Sequence, residues 1–204
     1  MITSIYNFYY MSRMLKDKSI SSIIDYYYNN YQNVDRVYPQ SGGFFLNLYN
    51  LTYEPSYIID NLYLGNAYNA SNYVSLTNNN IKLIVNITEE IPNYYSDDTN
   101  IEYFNVNIKD LNSNHITDFL SVSVKKIRSF VLENFLEKKN NSNILIHCFM
   151  GSSRSASLVI AYLAKYHNMT IEEALNYCKE KRHLVNINTT FYNDLKNWHK
   201  LESQ

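Results

Sequence analysis

The chain has 204 residues, of which 46% are hydrophobic, a size that suits one ordinary domain with a short extension and is marginal for two. Its formal net charge of -1 at pH 7 excludes a global field that attracts nucleic acid or an acidic membrane. No uninterrupted apolar run approaches the roughly 18 residues that a membrane span needs. We therefore expect neither nucleic acid nor a membrane as a partner.

Cysteine content and the first residues indicate the compartment. Two cysteines, Cys148 and Cys178, are too few for the disulfide framework of small secreted domains. Residues 1–18 lack the basic region and apolar stretch of a secretory signal. We expect an intracellular, cytoplasmic protein, which for a viral chain means the host cytoplasm or the virion. The 21 tyrosines are typical of an AT-rich coding sequence.

Residues 1–54 differ in composition from the rest of the chain. The segments 25–33 and 38–43 are rich in Tyr, Asn and Gly and show no clear long period. Disordered tails are normally poor in aromatic residues, so we expect part of this extension to pack on a surface. Two interpretations stay open: a partly ordered arm, or a docking or dimerisation arm that forms a homodimer.

Residues 55–204 alternate apolar runs with helical patterns. Leu120 begins a series of apolar residues at i, i+4, i+7 and i+11, which predicts a helix over 115–138. Strands alternating with helices indicate one α/β layered domain. Short runs rich in Ile, Val and Tyr predict strands at 62–65, 81–87, 101–108 and 143–148.

Three further helices are expected in the second half of this region. One follows Arg154 directly, and the next begins at Thr170, which has the spacing of a capping box with Glu173. Cys178 lies on the apolar face of that second helix, so we interpret it as a core residue. The last helix carries three large apolar residues on one side: Phe191, Leu195 and Trp198.

The stretch NILIHCFMGSSRSASLVIAYLAKY at 143–166 carries the chemistry. A predicted strand leads to Cys148, five loop residues follow, and Arg154 opens a helix. A cysteine thiol is a poor nucleophile while protonated, but a helix N-terminus and a neighbouring cation favour the reactive thiolate. The spacing therefore indicates a nucleophilic cysteine rather than a structural one.

The loop between strand and helix is a candidate phosphate-binding site. Its backbone N–H groups can turn inward as an anion nest, next to the positive end of the helix, and Gly151 allows a tight backbone path. Arg154 presents a planar fork for two phosphate oxygens. We therefore predict a pocket for a phosphoryl dianion. Its candidate phosphate-binding residues are Phe149, Met150, Gly151, Ser152, Ser153 and Arg154.

HCFMGSSRSA at 147–156, followed by AYLAKY, resembles the signature of dual-specificity protein phosphatases, which belong to the cysteine-dependent tyrosine phosphatase superfamily. The resemblance covers about 57–202 and implies an α/β fold, with a central mixed, mostly parallel sheet flanked by helices, as a catalytic domain over 55–204. Ile187 stands where this family usually has proline, which affects packing rather than chemistry. Other similar segments are IIDNLYLGN, IVNITEEIPNYY, VNIKDLNSNHI and NINTTFYNDLKNWHKLE.

The resemblance also implies catalytic roles. Cys148 would attack phosphorus and form a phosphocysteine, while Arg154 binds the phosphate and the transition state. Asp110 would protonate the leaving group and then activate water. Ser155 should hydrogen-bond the sulfur, and His147 should hold the loop and help keep the thiolate ionised.

Some alternatives to these assignments stay open. Asp118 is the competing acid, although it lies inside a predicted helix, where a fixed reach to the pocket is harder. The remaining histidines lack ligand spacing, so we expect no metal and no cofactor. Cys178 as a resolving thiol is the alternative to core packing.

The expected function is hydrolysis of phosphotyrosine and phosphoserine/threonine in phosphoprotein substrates. RNA 5′-phosphates, phosphoinositides and phosphoglycans are alternatives within the same mechanism, although the loop lacks the lysines expected for inositol phosphates. A non-enzymatic phosphoresidue-binding module is the other alternative. Such a module should have lost its Cys, Arg or acid, and this chain retains Cys148, Arg154 and Asp110.

Overall fold

The computed structural model describes residues 54–111, 113–136 and 142–202. The arm predicted over 1–54 lies, apart from Glu54, outside the described residues. Within these ranges, five strands form one sheet: β1 Ser56–Ile59, β2 Leu62–Gly65, β3 Ile81–Asn86, β4 Glu102–Asn105 and β5 Asn143–His147. The same ranges contain six helices: α1 Ala67–Ser71, α2 Tyr73–Asn78, α3 Thr117–Leu136, α4 Arg154–Tyr166, α5 Ile171–Lys181 and α6 Thr189–Glu202.

The sheet is mixed and mostly parallel, which confirms the predicted fold class. Its strand order is β1-β2-β5-β3-β4, with β1 antiparallel to β2 and all other neighbours parallel. The middle strand, β5, is fully buried at Ile144, Leu145 and Ile146. Because ligands bind outside the carboxyl ends of strands in such sheets, the residues after His147 lie at the place expected for a site.

The main core lies between the sheet and the helices α3 to α6. Residues 154–164 of α4 are all buried, as expected of a helix that is surrounded by other elements. α4 contacts α3, α5 and α6, so its N-terminus, where Arg154 stands, is held by the most tightly packed part of the domain. The three apolar residues predicted to share one face of α6 are buried in this core: Phe191, Leu195 and Trp198.

The described elements differ from the sequence predictions in the bounds of four elements and in three elements that are not predicted. The strand predicted over 101–108 covers only Glu102–Asn105, because the backbone leaves the sheet while Val106 and Ile108 stay buried. The helix predicted over 115–138 is Thr117–Leu136. The strands at 81–87 and 143–148 end one residue earlier. The sequence pattern does not predict β1, α1 or α2.

The capping box predicted at Thr170 is present at the start of α5. The Thr170 hydroxyl accepts from the Glu173 N–H, and the Glu173 carboxylate accepts from the Thr170 N–H. Cys178 is fully buried in α5, and this burial raises its pKa to about 12, as suits a core residue. No helix in the described ranges has the length and apolarity needed to cross a membrane.

Candidate active site

Residues 148–153 form a loop between β5 and α4, and Gly151 is the residue that its path requires. Gly151 has a φ of 70°, in the left-handed region that glycine tolerates best. A Cβ at this position would lie 2.4 Å from the Gly65 carbonyl oxygen. The loop therefore passes so close to the end of β2 that no side chain fits there.

Arg182 holds the outer side of the loop. It is buried, its Nε donates to the Gly151 carbonyl at 2.9 Å, and its Nη2 donates to the Met150 carbonyl at 3.2 Å. Its Nη1 lies 3.4 Å from Ser56 Oγ in β1. A single guanidinium thus connects the C-terminal end of α5, the loop and the edge of the sheet.

Two backbone groups fix the other loop carbonyls. The Ala67 N–H donates to the Phe149 carbonyl at 3.2 Å, and the Asn186 N–H donates to the Ser152 carbonyl at 2.9 Å. Because these carbonyls are bound on the outside, the loop can direct its N–H groups toward the inside. Inward N–H groups next to a helix N-terminus are the arrangement that binds a phosphate.

Cys148 lies buried at the base of this loop. Its Sγ accepts a hydrogen bond from the Gly151 N–H at 3.2 Å and from Ser155 Oγ at 3.1 Å. Hydrogen bonds to the ionised form of a group favour that form. The structure thus places Ser155 on the sulfur, where the resemblance expects it.

Arg154 is held rigidly by Glu90. Its Nη2 lies 2.7 Å from Glu90 Oε1, its Nη1 lies 3.0 Å from Glu90 Oε2, and Nη1 also donates to the Ile108 carbonyl at 2.9 Å. Burial opposes ionisation of Glu90, but the guanidinium more than offsets it and holds the pKa of Glu90 below its ordinary value. The pair fixes the plane of the guanidinium, which is 6% exposed.

Two donors of Arg154 stay available for a ligand. Within the described part of the chain, Nε is buried and has no hydrogen-bond partner. Both hydrogens of Nη1 are used, by Glu90 and Ile108, and Nη2 uses one with Glu90. The Nε hydrogen and the second Nη2 hydrogen therefore form the free fork, which suits two phosphate oxygens.

Asp110 lies beside the loop and Arg154. Its Oδ1 accepts from Ser153 Oγ at 2.9 Å and from Asn188 Nδ2 at 2.9 Å, and its Oδ2 lies 3.9 Å from Arg154 Nε. Asp118 is in the first turn of α3, inside a helix as predicted. The geometry therefore brings Asp110 together with the phosphate-binding groups.

His147 is buried directly before the nucleophile. Burial lowers its pKa to about 4, so the imidazole is neutral at pH 7. Its Nδ1 lies 3.4 Å from the Cys148 carbonyl oxygen. Any help that His147 gives to the thiolate is therefore through packing and this contact, and not through a positive charge.

The remaining loop side chains differ in what they face. Ser152 and Ser153 are buried, and the Ser153 hydroxyl is directed to Asp110 rather than to the sulfur. Phe149 and Met150 are half-buried. For these four residues, the phosphate contact stays a prediction about their backbone N–H groups.

Residues 62–201 match the family model described as dual specificity phosphatase, catalytic domain. The chain belongs to the dual-specificity phosphatase catalytic-domain family. This confirms the resemblance that the loop sequence indicates. The matched range of this dual-specificity phosphatase domain contains Cys148, Arg154 and Asp110, the candidate nucleophile, phosphate-binding residue and acid.

Several curated proteins are similar to this dual-specificity phosphatase domain. Protein phosphatase Slingshot of Drosophila melanogaster is 34% identical over 144 residues, which are 71% of this chain and 13% of that protein. The chain thus spans a small fraction of that relative's length. Human dual specificity protein phosphatase 18 is 31% identical over 140 residues, which are 69% of this chain and 70% of that protein.

Solved structures share the fold. The human tyrosine phosphatase-like serine/threonine/tyrosine-interacting protein superposes with a TM-score of 0.66 at 23% identity, covering 74% of this chain and 99% of that one. Human DUSP28 gives 0.64 at 19% identity, with 72% and 97% covered. At these identities the likeness concerns the fold of the phosphatase domain alone.

Sequence reasoning missed three residues of the dual-specificity phosphatase site: Glu90, Arg182 and Asn188. Glu90 pairs with a residue 64 positions away, and Asn188 bonds a residue 78 positions away. No spacing rule connects such distant positions. A weak signal exists for two of them, because Glu90 and Asn188 lie in the segments IVNITEEIPNYY and NINTTFYNDL that resemble the family.

Proposed function

We propose that this chain is a protein phosphatase that hydrolyses phosphotyrosine and phosphoserine/threonine in protein substrates through a phosphocysteine. The observation that carries the proposal is the arrangement at the loop. Cys148 Sγ accepts from two hydrogen-bond donors, Arg154 Nε has no hydrogen-bond partner among the described residues, and Asp110 Oδ2 lies 3.9 Å from that Nε.

In the first step the Cys148 thiolate attacks phosphorus. A sulfur–phosphorus bond forms while the bond from phosphorus to the substrate oxygen breaks. The leaving oxygen takes the electron pair of that bond and the proton of Asp110. The inward N–H groups and the Arg154 fork stabilise the charge on the three remaining phosphoryl oxygens, as electrostatic stabilisation of a transition state requires.

In the second step water attacks the phosphocysteine. The Asp110 carboxylate takes a proton from the water as the new oxygen–phosphorus bond forms, and the sulfur leaves with the bonding electrons. The Ser155 hydroxyl, 3.1 Å from Sγ, donates to the departing thiolate. Free phosphate then leaves the loop, and Asp110 is again protonated for the next cycle.

The substrate class rests on family membership and on the charged surroundings of Asp110. The Asp110 side chain is 31% exposed, and the exposed ion pair between Lys109 and Glu89, at 3.0 Å, lies near it in the sequence and the fold. Exposed charged groups of this kind favour a peptide surface over an apolar ligand.

The proposal is tested by measuring turnover on three substrate types. We expect the full chain, kept reduced, to hydrolyse p-nitrophenyl phosphate, a phosphotyrosine peptide and a phosphoserine/threonine peptide, with no effect of a metal chelator. Tight binding of phosphopeptides without any turnover would indicate a binding module instead. Turnover restricted to phosphoinositides or RNA 5′-phosphates would contradict the protein substrate.

We also propose that residues 1–54 are an arm that is dispensable for chemistry and serves a homodimer or protein docking. The described site is complete between β1 and α6. Glu54 itself bonds Ser75 and Asn79 of the domain, so the natural cut lies before it. The two cysteines, both free and buried, support an intracellular location.

Removal of the arm is expected to leave hydrolysis of a small aryl phosphate within about threefold, because Cys148, Arg154 and Asp110 and their described hydrogen-bond partners all lie within residues 54–202. The measurement is kcat/KM on p-nitrophenyl phosphate for the full chain and for a 54–204 fragment, together with light scattering of both. A dimeric full chain and a monomeric fragment are expected. A fragment that is folded but inactive would contradict dispensability, and a monomer in both cases would refute the dimer.

A further inference from the structure

Asn188 uses both ends of its side-chain amide. It stands directly before α6, where its Oδ1 accepts from the Phe191 N–H at 2.8 Å, in the manner of a helix N-cap. Its Nδ2 donates to Asp110 Oδ1 at 2.9 Å. Because the cap occupies the oxygen, the nitrogen is directed toward Asp110 and cannot exchange places with it.

The helix behind this amide is firmly held. Phe191 and Leu195 of α6 are completely buried. One turn further along, Asp194 accepts from the Ile116 N–H at 2.9 Å. The segment before α3, which carries Asp110, is thus bonded to the region of α6 at two points. Asn188 bonds Asp110 itself, and Asp194 bonds Ile116 at the end of the segment.

Asp110 receives two hydrogen bonds on the same oxygen. Ser153 Oγ and Asn188 Nδ2 both donate to Oδ1, and an oxygen that accepts two donors is poorly suited to carry a proton. The other oxygen, Oδ2, lies on the side of the Arg154 fork, at 3.9 Å from Nε. The two oxygens of this carboxyl group therefore differ: Oδ1 is held by two donors, and Oδ2 is the oxygen on the side of Arg154 Nε.

We propose that Asn188 is a positioning residue that, with Ser153, holds Oδ1 of Asp110 so that Oδ2 carries the acid proton to the leaving oxygen. This inference rests on the proposed phosphatase function. As the phosphorus–oxygen bond breaks, the proton passes from Oδ2 to the leaving oxygen, and Asp110 is left as a carboxylate. Both hydrogen bonds to Oδ1 strengthen as that charge develops, since donors bind a charged acceptor more strongly.

The variant Asn188→Ser tests the hydrogen bond to Asp110 without removing the cap of α6. Serine is also a good N-cap, so α6 keeps its first hydrogen bond, whereas the amide that reaches Asp110 is lost. We expect kcat/KM to fall about 10–100-fold on phenyl phosphate, the worth of a hydrogen bond to a charged group. On p-nitrophenyl phosphate, whose leaving group needs little protonation, the loss should be several-fold smaller.

Three controls define the result. The Ki of inorganic phosphate and the melting temperature of Asn188→Ser should match those of the wild type. Asn197→Ala, which changes an exposed side chain of α6, should leave both substrates unaffected. If Asn188→Ser does not fold, Ser153→Ala removes the second donor to Oδ1 and should give the same dependence on the leaving group.

A double variant decides between positioning and a general structural effect. In an Asp110→Asn background, Asn188→Ser should cause no further loss, because the proton it positions is already absent. Equal losses on both substrates, or losses that multiply in the double variant, would overturn the inference while the proposed function stands. An inactive wild-type chain would overturn both.

Discussion

Cys148→Ser is expected to abolish turnover while the fold and the binding of phosphate stay intact. The exchange replaces sulfur with oxygen in a buried position and keeps an acceptor for the Gly151 N–H and the Ser155 hydroxyl. A serine hydroxyl is not ionised at neutral pH, so it is a far weaker nucleophile than a thiolate. The measurement is kcat on p-nitrophenyl phosphate, which should fall to background.

Cys178→Ala is the matched control for this variant. Cys178 is the other buried cysteine, and it lies in α5, within the core. Its loss should lower stability, as removal of buried side-chain atoms does, but leave kcat on p-nitrophenyl phosphate near that of the wild type. Substantial turnover by Cys148→Ser, with inorganic phosphate still bound, would contradict the covalent mechanism.

The phosphate loop could be predicted from sequence because its chemistry is contiguous. Cys148 and Arg154 are separated by five residues, and the strand before them and the helix after them are visible as apolar patterns. The capping box at Thr170 is equally local, and the structure shows it. Where one short stretch of chain supplies both the ligand-binding groups and the strand and helix that hold them, composition and spacing are sufficient to predict the site.

The distant residues that hold the loop and Arg154 in place could not be predicted in the same way. Arg182 binds carbonyls of residues 31 and 32 positions away, and Glu90 binds a guanidinium 64 positions away. In the sequence each is one charged residue in a polar segment. Only the order of the strands, with β5 in the middle of the sheet, brings these segments to one edge.

The strand predicted over 101–108 is longer than the observed strand for a different reason. Val106 and Ile108 are as buried as strand residues, but the sheet ladder between β3 and β4 ends at the pair Asn86–Asn105. The apolar sequence pattern reports burial, whereas a strand also requires a neighbouring strand for its hydrogen bonds. The pattern therefore extends beyond the end of the strand. Leaving the sheet here carries the backbone toward α4, where the Ile108 carbonyl accepts from Arg154 and Asp110 follows.

Asp110→Asn is expected to lower kcat by about 10²–10⁴ on phenyl phosphate, the usual worth of a general acid. The amide oxygen of asparagine can still accept from Ser153 and Asn188, so the segment should keep its position and only the proton is removed. The loss should be smaller on p-nitrophenyl phosphate.

Asp118→Asn tests the competing assignment. Asp118 lies in the first turn of α3, where an acidic side chain favours the helix N-terminus, so its change should cost a little stability and leave kcat close to that of the wild type. The position of Asp110, hydrogen-bonded at Oδ1 and with Oδ2 beside Arg154 Nε, is the reason for this expectation. A loss of kcat with Asp118→Asn, and none with Asp110→Asn, would show that the acid is assigned to the wrong residue.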